Sequence, residues 1–280
     1  MRILILRQMK NKIKQAGVYA FDQFFTRPDT ARQCLELLNL QSFDLCIEPS
    51  AGTGSFYNLL PPESRFGVEI DPRLANGISC GSWYDHTWDK GNILVVGNPP
   101  FGTQNREAIN FFNHAAQFAE CIAFIIPRTW KRPSVQNALD LNFHLTHSHD
   151  LEKAFEGEKL TSVKCCFQIW TRKAQPRKKV KLPITHPDWQ FLKYENQDGE
   201  LHPPTDADFV VLAYGSKPGQ MSDDLYRWRP KSVHFIKANI DCDELKQRFA
   251  SLDYSIANDS ARQSSLGKGA LVTLYGDQYD

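Results

Sequence analysis

The chain has 280 residues, 41% of them hydrophobic and 23% charged, with 33 Lys and Arg against 32 Asp and Glu for a net charge of +1. That size and apolar content suit one large domain, or a domain with a smaller appendage, and exclude wholesale disorder. No apolar run approaches the roughly 20 residues that cross a bilayer. The near-zero net charge does not announce a nucleic-acid binder.

Residues 1–20 read as a leader, because the apolar start from Met1 is broken by Arg7 too soon for a signal peptide. Pro28 marks a helix start, with Ala31, Cys34, Leu35 and Leu38 following at helical spacing. Four short apolar runs come next: 45–47, 66–69, 93–96 and 122–126. Such unalternating runs suit strands buried on both faces of a parallel sheet. Between the third and fourth, 108–118 places Ile109, Phe112, Ala116 and Ala119 on one helical stripe. Further strands are expected over 143–149 and 163–170. Strand and helix in repetition predict an α/β fold, a Rossmann-like doubly wound sheet over 21–171.

Beyond Thr171 the composition changes. A basic linker is expected over 172–182, with Arg172, Lys173, Arg177, Lys178, Lys179 and Lys181 crowded together. A solvated linker and a phosphate-gripping stretch fit that run equally well. Residues 183–280 carry strand-like runs at 209–212 and 233–236 and a helix over 242–249, and read as a small α+β appendage expected to bind nucleic acid or recognise the target. The seven cysteines are odd in number, irregularly spaced and without a C-x-x-C pair. They are expected to be free thiols in a cytoplasmic protein, many of them buried as small hydrophobes. His144, His147 and His149 lack partners at ligand spacing and read as strand or surface residues, so no metal site is expected.

Three strand ends carry chemistry. Asn98-Pro99-Pro100-Phe101 closes the third apolar run. Ligands of open α/β sheets bind outside the carboxyl ends of strands. Consecutive prolines fix φ and remove two donors, so the surrounding acceptors are rigidly aimed. An Asn amide oxygen and a Pro carbonyl held this way suit the two N–H groups of an exocyclic amine, and Phe101 offers a flat face to a planar base. Glu48, Pro49, Ser50, Ala51, Gly52, Thr53 and Gly54 close the first run, where the glycines permit a tight turn and close approach of a ligand. The turn matches neither a dinucleotide fingerprint nor a P-loop. Glu69, about 20 residues beyond the glycine turn, is placed to accept from ribose hydroxyls, whereas Asp71 suits a turn cap.

Phe25-Thr26-x-Pro28, the Glu48–Phe56 turn, Gly67 to Pro72 and Asn98 to Gly102 occur in one order. In that order they resemble the gamma-order DNA adenine-N6 methyltransferases, over about 21–170. The resemblance implies S-adenosylmethionine (SAM) as cofactor. Thr26, Glu48, Ser50, Gly52 and Gly54 would hold its methionine part, Glu69 its ribose, and Ile70 would lie against its adenine. Asn98 and Pro99, stiffened by Pro100, would bind the target amine. Phe101 would stack on the flipped base, with Phe155 as a second aromatic clamp. The family's aspartate for the cofactor adenine is not matched; Ser82 or Asp85 could replace it, with Trp83 packing on the ring.

The expected activity is methyl transfer to N6 of adenine in DNA, by positioning and electrostatics rather than by a nucleophilic triad. Arg172, Lys178 and Lys179 would assist in binding nucleic acid. RNA adenine, a protein glutamine amide, and a SAM-binding module without catalysis are the rival readings. No membrane or metal partner is expected.

Overall fold

A computed structural model describes residues 24–156 and 163–280. The leader expected over 1–20, the first residues of the expected catalytic domain, and the stretch just before the last strand of the first unit lie outside the described residues. Two compact units divide the chain. The first takes the chain up to Pro127 together with Ser134–Lys179; the second takes Arg128–Pro133 and Val180–Asp280. The division between Lys179 and Val180 falls within the stretch 172–182 read as a basic linker, most of which groups with the first unit. The excursion Arg128–Pro133, which groups with the second unit, has no signal in the sequence.

The first unit is a seven-stranded sheet. Its strands are β1 (Leu45–Glu48), β2 (Arg65–Glu69), β3 (Ser79–Cys80), β4 (Ile93–Gly97), β5 (Cys121–Pro127), β6 (Phe143–Leu151) and β7 (Cys165–Arg172). Their order across the sheet is β3-β2-β1-β4-β5-β7-β6. The pairs among the first five are parallel, whereas β7 runs antiparallel to both β5 and β6. All residues of β4 and β5 are buried, which explains their unbroken apolar character. This is the Rossmann-like, doubly wound α/β architecture expected from the strand-and-helix repeat.

Among the described residues, two helices of eight residues or more accompany the sheet. In α1 (Pro28–Leu35) proline opens the helix, and Thr30, Ala31, Cys34 and Leu35 are buried. In α2 (Arg106–Ala115) the buried residues are Ala108, Phe111, Phe112 and Ala115. The expected stripe is therefore rotated: Ile109 is only half-buried, and Ala108 with Phe111 takes its place. After the glycine turn, β1 and β2 are joined by short 3-10 turns at Tyr57–Leu59 and Pro62–Ser64 rather than by an α-helix. Pro61 and Pro62 prevent a longer helix there.

The second unit pairs β8 (Trp189–Leu192), β11 (Phe209–Leu212), β12 (Met221–Ser222) and β13 (Val233–Ala238) in the order β12-β11-β13-β8, all antiparallel. A hairpin of β9 (Glu195–Gln197) and β10 (Glu200–His202) stands apart from that sheet. Helices α3 (Cys242–Ala250) and α4 (Lys268–Tyr279) pack on it around Trp189, Phe209, Ile236, Phe249 and Tyr275. Helix α4 was not anticipated because it lacks a capping side chain and contains two glycines. Among the described residues no helix is long and apolar enough to cross a membrane.

Candidate cofactor and amine-binding site

Strand order reverses between β1 and β4, and the loops leaving their carboxyl ends meet there. The Ser50 hydroxyl donates to the backbone carbonyl of Asn98 at 2.9 Å, tying the two loops together. Gly97, at φ 154°, allows this approach: a Cβ at that position would lie 3.2 Å from Cγ of Glu48. Two motifs distant in sequence are thereby joined at one point.

The glycine turn is built on two buried carboxyls. Gly52 and Gly54 adopt φ of 54° and 84°, a left-handed conformation that side chains resist. Glu69 accepts from Gly52 N at 2.6 Å and from Asp71 N at 2.8 Å. Glu48 accepts from Tyr57 N at 2.6 Å. Burial raises the pKa of both groups, against the opposing effect of those N–H donors, and the proximity of Glu69 raises Glu48 further. Asp71 caps its turn through Arg73 N at 3.0 Å and pairs with the Arg73 guanidinium.

A cavity of about 600 Å³ opens at this switch point. Ser50, Gly52, Glu69, Ile70, Ser82, Trp83, Asn98, Pro99 and Pro100 all border it, so most of the expected site residues are brought together. Thr26 and Glu48 border a smaller cleft of about 30 Å³ that shares Ser50, Gly52 and Asn98 with the main cavity. Gly54 borders neither; its role is in the turn, where its N–H donates to Ala51 at 2.7 Å.

One wall escaped sequence reasoning. Tyr84, Glu107 and Phe111 border the cavity beside Trp83, and Tyr84 Oη donates to Glu107 at 2.8 Å. Trp83 itself is a core residue, surrounded by Phe111, Trp88, His114 and Phe118. Its contribution to the cavity is an edge of a packed aromatic cluster. Ser82 turns its hydroxyl to the Tyr84 N–H as a helix cap. Asp85 does not border the cavity. The signal for this wall was the aromatic run Trp83-Tyr84 read together with α2, two segments with no fixed relation in sequence.

Asn98 is held from the other side. Its Nδ2 donates to the carbonyl of Phe24 at 2.7 Å, which orients the amide, and its Oδ1 is buried without a hydrogen-bond partner. Unpaired buried acceptors are uncommon and costly, about 1–3 kcal/mol.

Phe101 differs from expectation. It is buried and stacked on Phe24, with ring centroids 5.6 Å apart and 23° between planes, and Phe155 packs against both rings. The face of Phe101 that was to stack on a base is therefore covered by Phe24. The segment carrying Phe24 is secured where Thr26 pairs with Phe155 as an isolated bridge and accepts from the Ser55 hydroxyl at 2.7 Å.

The basic stretch also divides. Arg172 donates to the carbonyls of Ala116 and Ala119 at the end of α2, pairs with Glu120 at 3.4 Å and lies over the Phe143 ring. Arg177 likewise donates to Phe143, Leu139 and Gln136. Arg172 thus closes a helix C-terminus instead of facing a ligand, whereas Lys178 and Lys179 are exposed. Among the described residues no cluster of His, Cys, Asp and Glu could hold a metal. Five of the seven cysteines are buried, Cys80 is exposed and Cys242 is half-buried.

No family model matches this chain, and no curated protein does. Solved structures with some similarity to part of this chain include the 23S rRNA methyltransferase ErmE, at 18% identity and a TM-score of 0.42 over 55% of this chain and 71% of that one. A dimethyladenosine transferase from Plasmodium falciparum matches at 13% identity and a TM-score of 0.40, over 54% and 63% of the two chains. Magnesium protoporphyrin IX methyltransferase (ChlM) from Synechocystis PCC 6803, solved with bound SAM, matches at 10% and 0.37, over 52% and 77%. Likeness this distant transfers neither reaction nor substrate. The function of the chain is read from its own side chains.

Proposed function

We propose that the chain is a SAM-dependent methyltransferase acting on the N6 amino group of adenine in DNA. The observation that carries this reading is the buried, unpartnered Oδ1 of Asn98 at the switch point. An amine N–H placed against that atom removes the cost of an unsatisfied acceptor, so the site favours a donor of this kind.

The residues present fit SAM. A cavity of about 600 Å³ lies within the usual range for small-ligand sites, roughly 300–1,000 Å³. Glu69 would hold the ribose, since each carboxylate oxygen keeps a second lone pair after its backbone bond. Glu48, at the smaller cleft, would face the cationic amino acid part. Ile70, Tyr84 and Phe111 would cover the adenine. SAM supplies an activated methyl group on a sulfonium.

Asn98 and Pro99 hold the acceptor amine and stabilise the positive charge that develops on its nitrogen as it bonds to the methyl carbon. With SAM bound, its sulfonium would take up the electron pair of the bond that breaks, and the amine nitrogen held by Asn98 and Pro99 would release its proton to solvent. A flipped base would displace the Phe24 ring from Phe101 and use the same stacking face. The order of motifs that resembles DNA adenine-N6 methyltransferases favours adenine in DNA as the acceptor.

The test is incubation with methyl-labelled SAM and either unmethylated DNA or RNA, followed by digestion to nucleosides. Label in N6-methyldeoxyadenosine, lost in Asn98→Ala, is the expected result. Label only in RNA nucleosides would overturn the choice of DNA; SAM binding without transfer to either would overturn nucleic-acid methylation.

A further inference from the structure

The second unit contains a cavity of about 370 Å³ that the methyl-transfer reading does not use. Its lining includes four cations, Arg132, Lys193, Lys231 and Lys268, and no carboxylate. Among the described residues none of the four is within ion-pair distance of an Asp or Glu. The carboxylate that acts on Arg132, Asp259, is paired with Lys131 at 3.5 Å.

Two of these cations, Arg132 and Lys268, are held in place, and Lys193 and Lys231 are exposed at the rim. Arg132 comes from the short excursion after β5, and its Nη2 donates to both the carbonyl and the hydroxyl of Ser265, at 2.9 and 2.8 Å. Lys268 lies over the Phe191 ring, 4.6 Å from its centroid. Burial, then the neighbouring Lys193, pushes the Lys268 ammonium below its usual pKa, and burial does the same to Arg132. Like charges kept together without a counter-charge destabilise the fold, and a bound anion removes that penalty.

The backbone adds to the same potential. Gly267 and Lys268 line the cavity at the start of α4, a 12-residue helix whose first N–H groups have no capping side chain. Such a terminus carries partial positive charge. At the rim, Tyr194 and Tyr214 are exposed aromatics. Half-buried His234 donates or accepts at the Leu266 carbonyl, 2.8 Å away, and burial lowers its pKa, so it adds a neutral ring to the wall.

We infer that this cavity binds the phosphate of a nucleotide unit, with Arg132, Lys193, Lys231 and Lys268 around the phosphate and the tyrosine rim against the base. The volume suits a mononucleotide or one residue of a strand. The inference does not depend on methyl transfer in the first unit and is tested without SAM.

The experiment measures binding of a labelled single-stranded oligonucleotide to the full chain by fluorescence anisotropy between about 50 and 200 mM salt. Adenosine monophosphate and adenosine serve as competitors. Lys193→Gln combined with Lys231→Gln alters two exposed side chains; Lys217→Gln, outside the cavity, is the control. The double variant is expected to bind roughly tenfold more weakly and to lose about 1.4 from the log–log salt slope, or 0.7 per phosphate contact. Competition by the monophosphate but not by adenosine would identify a free nucleotide as sufficient. Sensitivity to the double variant without such competition would assign the site to a strand. Absence of binding to either phosphate ligand, or a double variant no weaker than Lys217→Gln, would overturn the inference.

Discussion

Asn98 donates through Nδ2 to the carbonyl of Phe24 at 2.7 Å while its own Oδ1 stays buried and unpaired. The amide is thus oriented by a residue 74 positions earlier and keeps its acceptor free. Replacing it by alanine removes a hydrogen bond of about 0.5–1.5 kcal/mol, and also an unpaired acceptor that costs about 1–3 kcal/mol. Asn98→Ala is therefore expected to leave the melting temperature nearly unchanged, to leave SAM affinity intact, and to slow single-turnover methyl transfer by about 10²–10³. Strong destabilisation with unchanged transfer would make Asn98 a structural residue only.

Glu48 should give the stability curve a characteristic slope. Its native pKa is raised above 4.5 by burial and by Glu69. The unfolded chain therefore loses this proton first, and stability is fully present below the ordinary carboxylate pKa and lost as pH rises through the native value. Glu48→Gln is expected to flatten that decline in thermal melts taken upward from the ordinary carboxylate pKa, with its largest gain at the highest pH. An unaltered slope would place the titration elsewhere.

Gly97 and Gly77 separate strain from crowding. Both have positive φ, but a Cβ at Gly97 meets Glu48 at 3.2 Å while one at Gly77 meets nothing within 4 Å. Gly77→Ala is expected to cost about 1 kcal/mol, for the backbone alone. Gly97→Ala should cost about 3 kcal/mol and weaken SAM binding as well, because the loops after β1 and β4 are pushed apart. Urea unfolding of the two variants checks the difference; equal costs would refute it.

The basic stretch is expected to show two behaviours. Arg172→Ala loses charge-assisted bonds to the end of α2 and should destabilise the first unit by about 2 kcal/mol. Lys178→Gln with Lys179→Gln should change stability by less than about 0.5 kcal/mol while reducing the salt dependence of strand binding. Calorimetry and a salt titration on each variant distinguish the roles. Loss of strand affinity in a fully folded Arg172→Ala would return that residue to the binding surface.

Thiol reactivity offers a check on the first unit. Cys80 is exposed, Cys242 is half-buried, and the others are buried. Burial pushes Cys34 and Cys121 up to about 12 and Cys46 to about 11, so they carry almost no thiolate at neutral pH. An aromatic disulfide reagent should find one fast thiol in the native protein. Because Gly81 and Ser82 beside Cys80 border the main cavity, SAM is expected to slow that reaction. Several fast thiols would contradict the packing of β1, β5 and β7.

Much of this arrangement was written locally along the chain. The buried strands announced themselves as apolar runs, and Pro28, Gly52, Gly54 and the Asn98-Pro99-Pro100 segment marked turns whose backbone demands few other residues can meet. Glu48, Glu69 and Asn98 could be placed because each ends a strand, and strand ends of such a sheet converge. What escaped were relations between segments distant in sequence. The Phe24 ring over Phe101, the Tyr84–Glu107 wall, the closure of α2 by Arg172, and the cation-lined cavity of the second unit all depend on which side chains meet across long separations. A propensity or a spacing is a property of a few neighbouring residues, so it can be read in order. Occupancy of an aromatic face, or the absence of a counter-charge, follows from packing contributed by the whole fold, and arises only when distant elements fill the same space.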